Sequence, residues 1–271
     1  MALLTVEQLY YYPVKSLRGI AVDSLDLSDF GPLNDRRWII VDSDGKFVTQ
    51  REQPRLAQVS AQLTSSGLQL CFPAIPPSLD ETIVAVEFGS QSLAVTVWKD
   101  TVRAIVAKPA SSEALSRFLG LQVQLVYMPQ DVVREADTRF TEPGRRVGFA
   151  DGFPFLVTHQ ASLDALSRRI GSDIEMRRFR PNIVVSGGEA FAEDRWRTLT
   201  REGLTLTLVK PCSRCIMTTV DPWLGVKSDD RQPLRELGSF RRTDAGVIFG
   251  MNAVHDGAGP IKVGDQFEIS E

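Results

Sequence analysis

The sequence predicts an α+β, β-rich fold of two units with peripheral helices, and three observations carry that prediction. Short β-branched or aromatic runs separated by turn residues fill the first hundred positions: LTVEQLYYYPV, RWIIVDSDGKFVTQ, LAQVSAQLTSSGLQLCF, TIVAVEF and SLAVTVW. Helical spacing interrupts them only around residues 111–119 and 161–170, after which strand-like runs resume. The chain has 271 residues, more than one average domain of about 100–200 residues. The change in pattern places a boundary near residue 125, giving units 1–125 and 126–271.

Taken in order, Trp38 to Thr49 reads as a strand, an Asp42-Ser43-Asp44-Gly45 turn and a second strand, the pattern of a hairpin. SSEALSRFL and ASLDALSRRI then carry helical spacing, and in the second Leu163, Leu166 and Ile170 fall on one face. Pro129 to Gly148 is polar and without period, which predicts a loop or linker. Strands follow in NIVVSG, LTLTLVK, CIMTTV and the closing PIKVGDQFEIS, where a Val-Gly-Asp turn precedes the last alternating run.

Composition narrows the function. Hydrophobic residues at 43% and charged residues at 24% suit a globular chain with a sizeable core. A net charge of -3 argues against coating a nucleic-acid polymer or an anionic membrane, because that binding is driven by excess Lys and Arg. An anionic ligand must therefore be held by a local cluster. The N-terminal stretch lacks a basic segment ahead of a long apolar one, and no run approaches the roughly 18 apolar residues of a membrane span. A cytoplasmic location is the expectation.

Three cysteines, Cys71, Cys212 and Cys215, make an odd and unevenly spaced set, unlike a secreted disulfide framework. Two histidines, His159 and His255, cannot build a His-rich metal centre. KPCSRCIMTTVDP stands out first. A thiolate is a strong ligand for a soft or high-valent metal, and Arg214 beside Cys215, with Lys210 nearby in sequence, favours the charged sulfur. Three other readings stay open on the residues alone: half of a structural zinc site, a redox-active Cys-x-x-Cys pair, and two inert cysteines. Zinc would have to be completed by Cys71 and two distant histidines, and the redox motif expects a helix where β-branched residues follow instead.

Basic residues embedded in apolar or turn sequence form a second group: Lys15 with Ser16 in YYPVKSLRG, Arg36 in NDRRW and Arg180 in RFRPN. A phosphate monoester needs fixed cations and hydroxyl or amide donors arriving from several segments, and these are suitable donors. Asn182 and Asn252 occupy turn-like positions where Asn is common for backbone reasons alone.

In combination, YYPVKSLRG, LNDRRWIIVDSDGKFVTQREQPRL, FADGFPFLV with ASLDAL, RFRPNIVVSG, KPCSRCIMTTVDP, FGMNAV and IKVGD resemble the MOSC superfamily with its N-terminal β-barrel domain. The nearest likeness is to mitochondrial amidoxime-reducing components and to bacterial proteins that detoxify N-hydroxylated base analogues. The resemblance spans nearly the whole chain in the family's order. It implies an N-terminal β-barrel-like domain, 1–125, packed on a MOSC β-barrel domain, 126–271.

The resemblance also implies a molybdenum-molybdopterin cofactor and a two-electron reduction of the N–O bond in hydroxylamines, amidoximes or N-hydroxylated base analogues. It makes Cys215 the metal ligand and catalytic residue, with Cys212 a neighbour only. Lys15, Ser16 and Arg36 are implied for the molybdopterin phosphate and pterin, Arg180 and Asn182 line the cofactor, and Ser213 and Arg214 touch it beside the ligand. Asn252 stands where the mitochondrial relatives have a tyrosine, and Asp151 borders the same site. Bacterial relatives often continue into a ferredoxin-like domain, which this sequence does not contain. Electrons are therefore expected from a separate ferredoxin, cytochrome b5-like protein or flavoprotein reductase. The alternative within the family is a non-catalytic molybdopterin carrier or sulfur-transfer module; outside it stands a thiol-disulfide protein using Cys212 and Cys215.

Overall fold

A computed structural model describes residues 3–74 and 82–271. Seven strands close into a barrel. In pairing order they are Phe155–His159, Ile183–Ser186, Leu3–Tyr11, Gln266–Ser270, Thr198–Arg201, Leu204–Ser213 and Gly246–Gly257, and the last pairs back onto the first. Only the Phe155–His159 and Ile183–Ser186 pair is parallel. Closure leaves no open edge, and alternate side chains fill the interior: Leu4, Val6, Val157, Val185, Leu206 and Phe267 form one buried cluster.

The other sheet has four antiparallel strands in the order Phe88–Val97, Asp100–Ala107, Gln124–Tyr127, Trp38–Val41. Both of its faces are covered. Ile40 and Leu125 pack with Leu56, Leu70 and Leu115 on one side, while Ile39, Val41 and Val126 pack with Phe30 and Phe149 on the other. That double burial is why WIIV is apolar throughout instead of alternating. Three further strands, Ser60–Thr64, Gly67–Phe72 and Thr82–Ala85, complete this half.

The expected helices form as α1, Pro109–Leu119, and α2, Gln160–Ile170, each ending at a left-handed glycine, Gly120 and Gly171. Leu163 and Leu166 are buried and Ile170 packs against the same cluster. A third helix, α3, Leu234–Phe240, was not expected; at seven residues it is too short to show a period.

Two expectations need correction. CIMTTV is not a strand: Ile216–Thr219 is a 3-10 turn preceded by Cys215. The hydroxyls of Thr218 and Thr219 bond back to the carbonyls of Cys215 and Ile216, a local alternative that overrides β-branched propensity. The hairpin keeps its Asp42–Gly45 turn and first strand. Its second arm, however, is no regular strand: it pairs with the first through a bridge between Val41 and Phe47 and bonds from Asp42 N–H to the Lys46 carbonyl and from Val48 N–H to the Ile40 carbonyl. The segment Pro129–Gly148 is irregular, as expected, and is anchored by Arg134, which is 4% exposed.

The first strand belongs to the barrel, and the chain then crosses to the other sheet. Lys15 N–H bonds the Trp38 carbonyl, and Arg36 N–H bonds the Tyr12 carbonyl. Residues 12–16 and 34–38 are thus laced together along the seam between the two β-units.

Candidate functional site

All ten residues implied by the resemblance line one cleft at that seam: Lys15, Ser16, Arg36, Asp151, Arg180, Asn182, Ser213, Arg214, Cys215 and Asn252. The cleft encloses about 800 Å3 of open space, counting its mouth. A wider groove of about 1950 Å3 runs beside α1, but the only charges lining it are Lys108, Glu113 and Arg117, and no thiol reaches it. Chemistry, not size, marks the smaller cleft.

Each side chain arrives by a local device. Ser16, Arg36 and Arg180 are non-glycine residues with left-handed backbone, φ 68°, 46° and 56°. That conformation costs about 1–2 kcal/mol per residue and gathers where a structure over-determines it for function. Arg180 closes the 3-10 turn Met176–Phe179. Its Nη1 donates to the Leu17 carbonyl at 2.7 Å, and its guanidinium carbon lies 4.2 Å from the Tyr12 ring centroid. Arg36 lies 4.3 Å from the same ring, donates to Asp35 at 2.5 Å and to Asn182 Oδ1 at 3.0 Å, and reaches the Arg180 carbonyl at 3.1 Å. The strand Leu204–Ser213 bulges between Leu208 and Lys210 and again between Pro211 and Ser213, which re-aims its end before Cys215.

Electrostatically the cleft is cationic in a chain of net charge -3. Lys15, Arg36, Arg51, Arg180 and Arg214 line it against the single carboxylate of Asp151. Burial lowers the Arg180 guanidinium to about 10, and the neighbouring Arg36 pushes the same way. Burial likewise lowers Lys15, partly offset by its 2.5 Å contact with Asp151. Burial would raise Asp151, but the attraction and hydrogen bond of Lys15, with a bond from Trp98, carry it below the usual carboxylate range. An anion in the cleft would relieve the two depressed cations.

The residues fit an anionic, polar ligand. Ser16 Oγ is buried without a hydrogen-bond partner, as is Arg214 Nε, although buried polar groups are nearly always paired. Asn182 differs from the expectation in one respect. Its Oδ1 accepts from Arg36 and from Leu156 N–H, and its Nδ2 donates to the Tyr10 carbonyl and to Asp35. The amide is spent within the protein, so Asn182 acts on the cleft by fixing Arg36. Asn252 donates to the Lys210 carbonyl at 3.3 Å, and Ser213 donates to the Ala245 carbonyl at 2.6 Å.

At the sulfur end, Cys215 is exposed, Cys212 is half-buried, and both thiols are free. Arg214 turns to Cys212 and not to Cys215, with Nη1 to Sγ at 2.8 Å. Lys210 points elsewhere, its Nζ 4.7 Å from the Phe140 ring centroid. The histidines serve other places: His159 is buried against the Gly187 carbonyl and His255 packs on Phe155. Among the described residues no three His, Cys, Asp or Glu side chains converge as a metal site.

Sequence reasoning missed Tyr12, Asp35 and Arg134. Tyr12 hides in a run of three tyrosines, and Asp35 sits beside Arg36 like any surface pair. Arg134 donates to the carbonyls of Gly148, Ala150 and Asp151 and to the Asp100 carboxylate, fixing the segment that presents Asp151.

Residues 3–122 match the MOSC N-terminal beta barrel domain and residues 144–268 match the MOSC domain. The chain belongs to the MOSC family. Mitochondrial amidoxime-reducing component 1 of Mus musculus is 30% identical over 96% of this chain and 81% of its own length. The Homo sapiens component 1 is 32% identical over 96% and 81%. Component 2 of Homo sapiens is 31% identical over 96% and 82%. The matched stretches thus run through both β-units. No helix among the described residues is long and apolar enough to cross a membrane.

Proposed function

We propose that this MOSC protein is a molybdenum-cofactor-dependent reductase of N-hydroxylated compounds. The observation that carries the reading is the convergence of the ten residues on one cationic cleft whose wall presents the exposed thiol of Cys215. Kinship with proteins named amidoxime-reducing components supports the N-reductive class.

When bound, the cofactor supplies the two-electron metal chemistry, and the protein supplies binding, orientation and electrostatics. Lys15, the orphaned hydroxyl of Ser16, and Arg36 would hold its phosphate and pterin, and Arg180 would line it. Cys215 would bring the protein's one sulfur ligand. Asn182 and Asp35 keep Arg36 aimed into the cleft, and Arg134 keeps Asp151 at its edge. The net reaction takes R–NHOH, two electrons and two protons to R–NH2 and water, with the electrons drawn from a separate redox protein.

The test is elemental analysis of natively expressed protein combined with turnover of a hydroxylamine or amidoxime under a chemical reductant. Stoichiometric molybdenum, oxidised-pterin fluorescence and reduction by the wild type but not by Cys215→Ala are expected. Molybdenum without turnover would favour a carrier or sulfur-transfer module. Turnover by Cys215→Ala at the wild-type rate would remove the assignment of that sulfur.

A further inference from the structure

One cation of the cleft takes no part in the reading above. Arg51 lines the cleft, yet among the described residues its guanidinium makes no hydrogen bond and no close ion pair, and it acts on Asp151 only through its charge. Its contacts are aromatic: the guanidinium carbon lies 4.8 Å from the Trp98 ring centroid and 5.6 Å from that of Phe47. Arg36, by contrast, is committed to Asp35, Asn182 and the Arg180 carbonyl. Stacking orients a guanidinium without spending its five donors, which leaves the planar fork available to an oxyanion.

The supporting structure is specific. Trp98 opens the two-residue turn between strands Phe88–Val97 and Asp100–Ala107 with left-handed backbone, φ 57°, and remains 51% exposed. Few residues are worse suited to that backbone than a bulky aromatic. It is pinned across the seam by a bond from Nε1 to Asp151 Oδ1 at 3.1 Å and by an edge contact with Phe47. Phe47 is brought there by the Asp42–Gly45 turn, which presses on the same hairpin. Gly45 has φ 74°, a Cβ at that position would stand 2.5 Å from the Ala94 carbonyl oxygen, and Thr96 N–H bonds the Gly45 carbonyl. Asp151, the carboxylate that lines the cleft, takes its hydrogen bonds from Lys15 and Trp98 and feels Arg51 only through charge.

We infer that Arg51, held on Trp98 and Phe47, is an oxyanion-binding residue at the mouth of the cleft. It selects N-hydroxylated substrates that carry a carboxylate on the part of the molecule remote from the N–OH group. Position favours substrate over the cofactor's phosphate as the source of that oxyanion. Arg51 shares the rim with exposed Trp98 and with Asp151, whose side chain is 68% exposed, whereas Ser16 and Asn182 lie at the buried floor, 1% and 0% exposed.

This inference rests on the reductase reading, and its test separates the two. An aromatic amidoxime with a para carboxylate and the same compound lacking it are compared on the holoprotein by calorimetric Kd and by KM. Arg51→Gln should weaken the carboxylated compound about tenfold or more, the loss expected for a bidentate charge-assisted contact, and leave the neutral one unchanged. Molybdenum and pterin content should stay at wild-type level, and Arg51→Lys should recover part of the loss. Equal weakening of both compounds, or no wild-type preference for the carboxylate, would overturn the proposal. Loss of pterin from Arg51→Gln would also overturn it and assign Arg51 to the cofactor phosphate. If wild type reduces neither compound, the reductase reading fails while the calorimetric preference still decides the role of Arg51.

Discussion

Arg214 gives its Nη1 hydrogen bond to the sulfur of Cys212 at 2.8 Å, so the cation next to Cys215 in sequence is committed to the other thiol in space. The two cysteines of Cys-Ser-Arg-Cys are therefore not equivalent: one anchors a guanidinium, and the other is the exposed sulfur of the cleft. Cys212→Ala should retain molybdenum and turnover within about twofold while losing one hydrogen bond, a cost of about 1 kcal/mol in stability. Cys215→Ala should lose turnover with an unchanged melting temperature. Metal analysis and thermal melts on the two variants read both outcomes, and equal loss of turnover in both would contradict the division of labour.

Ser16 separates binding from stability. Its left-handed backbone and its unpartnered hydroxyl both cost the cofactor-free protein. Ser16→Gly removes both costs, so the apo protein should gain about 1–2 kcal/mol, a rise of a few degrees in Tm. Ser16→Ala removes only the orphan hydroxyl and should gain less. Both variants should retain less pterin. A Gly variant that melts lower than wild type would show that the hydroxyl is satisfied in solution.

The sequence made the β-rich class, both long helices and the site segments legible, because strand and helix periods and short motifs are local signals. Arg36 and Asn182 are 146 positions apart and Arg180 and Leu17 are 163 apart, and no periodicity reports such pairings. Resemblance supplied the site residues but neither these pairings nor their mechanics. It implied Asn182 as a cofactor-lining group, where the fold spends its amide on Arg36 and Asp35. It was silent on Arg51, whose aromatic seat is visible only after Trp98 and Phe47 are placed. The Ile216–Thr219 turn was misread because threonine hydroxyls bonded to nearby carbonyls reverse the β preference that the same residues show in a sheet.

The Lys15–Asp151 pair predicts a pH signature. Its two members point in opposite directions: burial leaves the Lys15 ammonium disfavoured, while Asp151 is held ionised below the usual carboxylate range. Burial prevails at Lys15, whereas the charge and hydrogen bond of Lys15, with the bond from Trp98, prevail at Asp151, whose side chain is 68% exposed against 9% for the lysine. Asp151→Asn removes the counter-ion of a buried ammonium. The cost should be about 1–2 kcal/mol, below the roughly 3–5 kcal/mol of a fully buried pair because solvent screens this one. A carboxylate whose folded pKa lies below its unfolded value contributes fully above the unfolded value and loses that contribution as pH falls through the folded one. The stability gap between wild type and Asp151→Asn should therefore hold from pH 7 to pH 5 and close below about pH 4. Denaturant melts at each pH measure it, and a gap that stays constant as pH falls below 4 would mean that Asp151 titrates as it does in the unfolded chain.

Arg134 offers the sharpest structural test, since it touches the cleft only through backbone. It is 4% exposed and donates to three carbonyls of Gly148, Ala150 and Asp151 as well as to Asp100. Truncation to Ala leaves those carbonyls and a carboxylate without their donor, a loss of about 3–5 kcal/mol on the scale of a broken buried ion pair. Arg134→Lys should recover little, because one ammonium cannot span carbonyls that the planar fork reaches together. Once Asp151 is released, Lys15 and Trp98 lose their shared acceptor. Trp98 should then become more accessible to a soluble fluorescence quencher in Arg134→Lys at temperatures well below its melting point. Quenching equal to wild type in a folded Arg134→Lys protein would show that Asp151 keeps its place without Arg134.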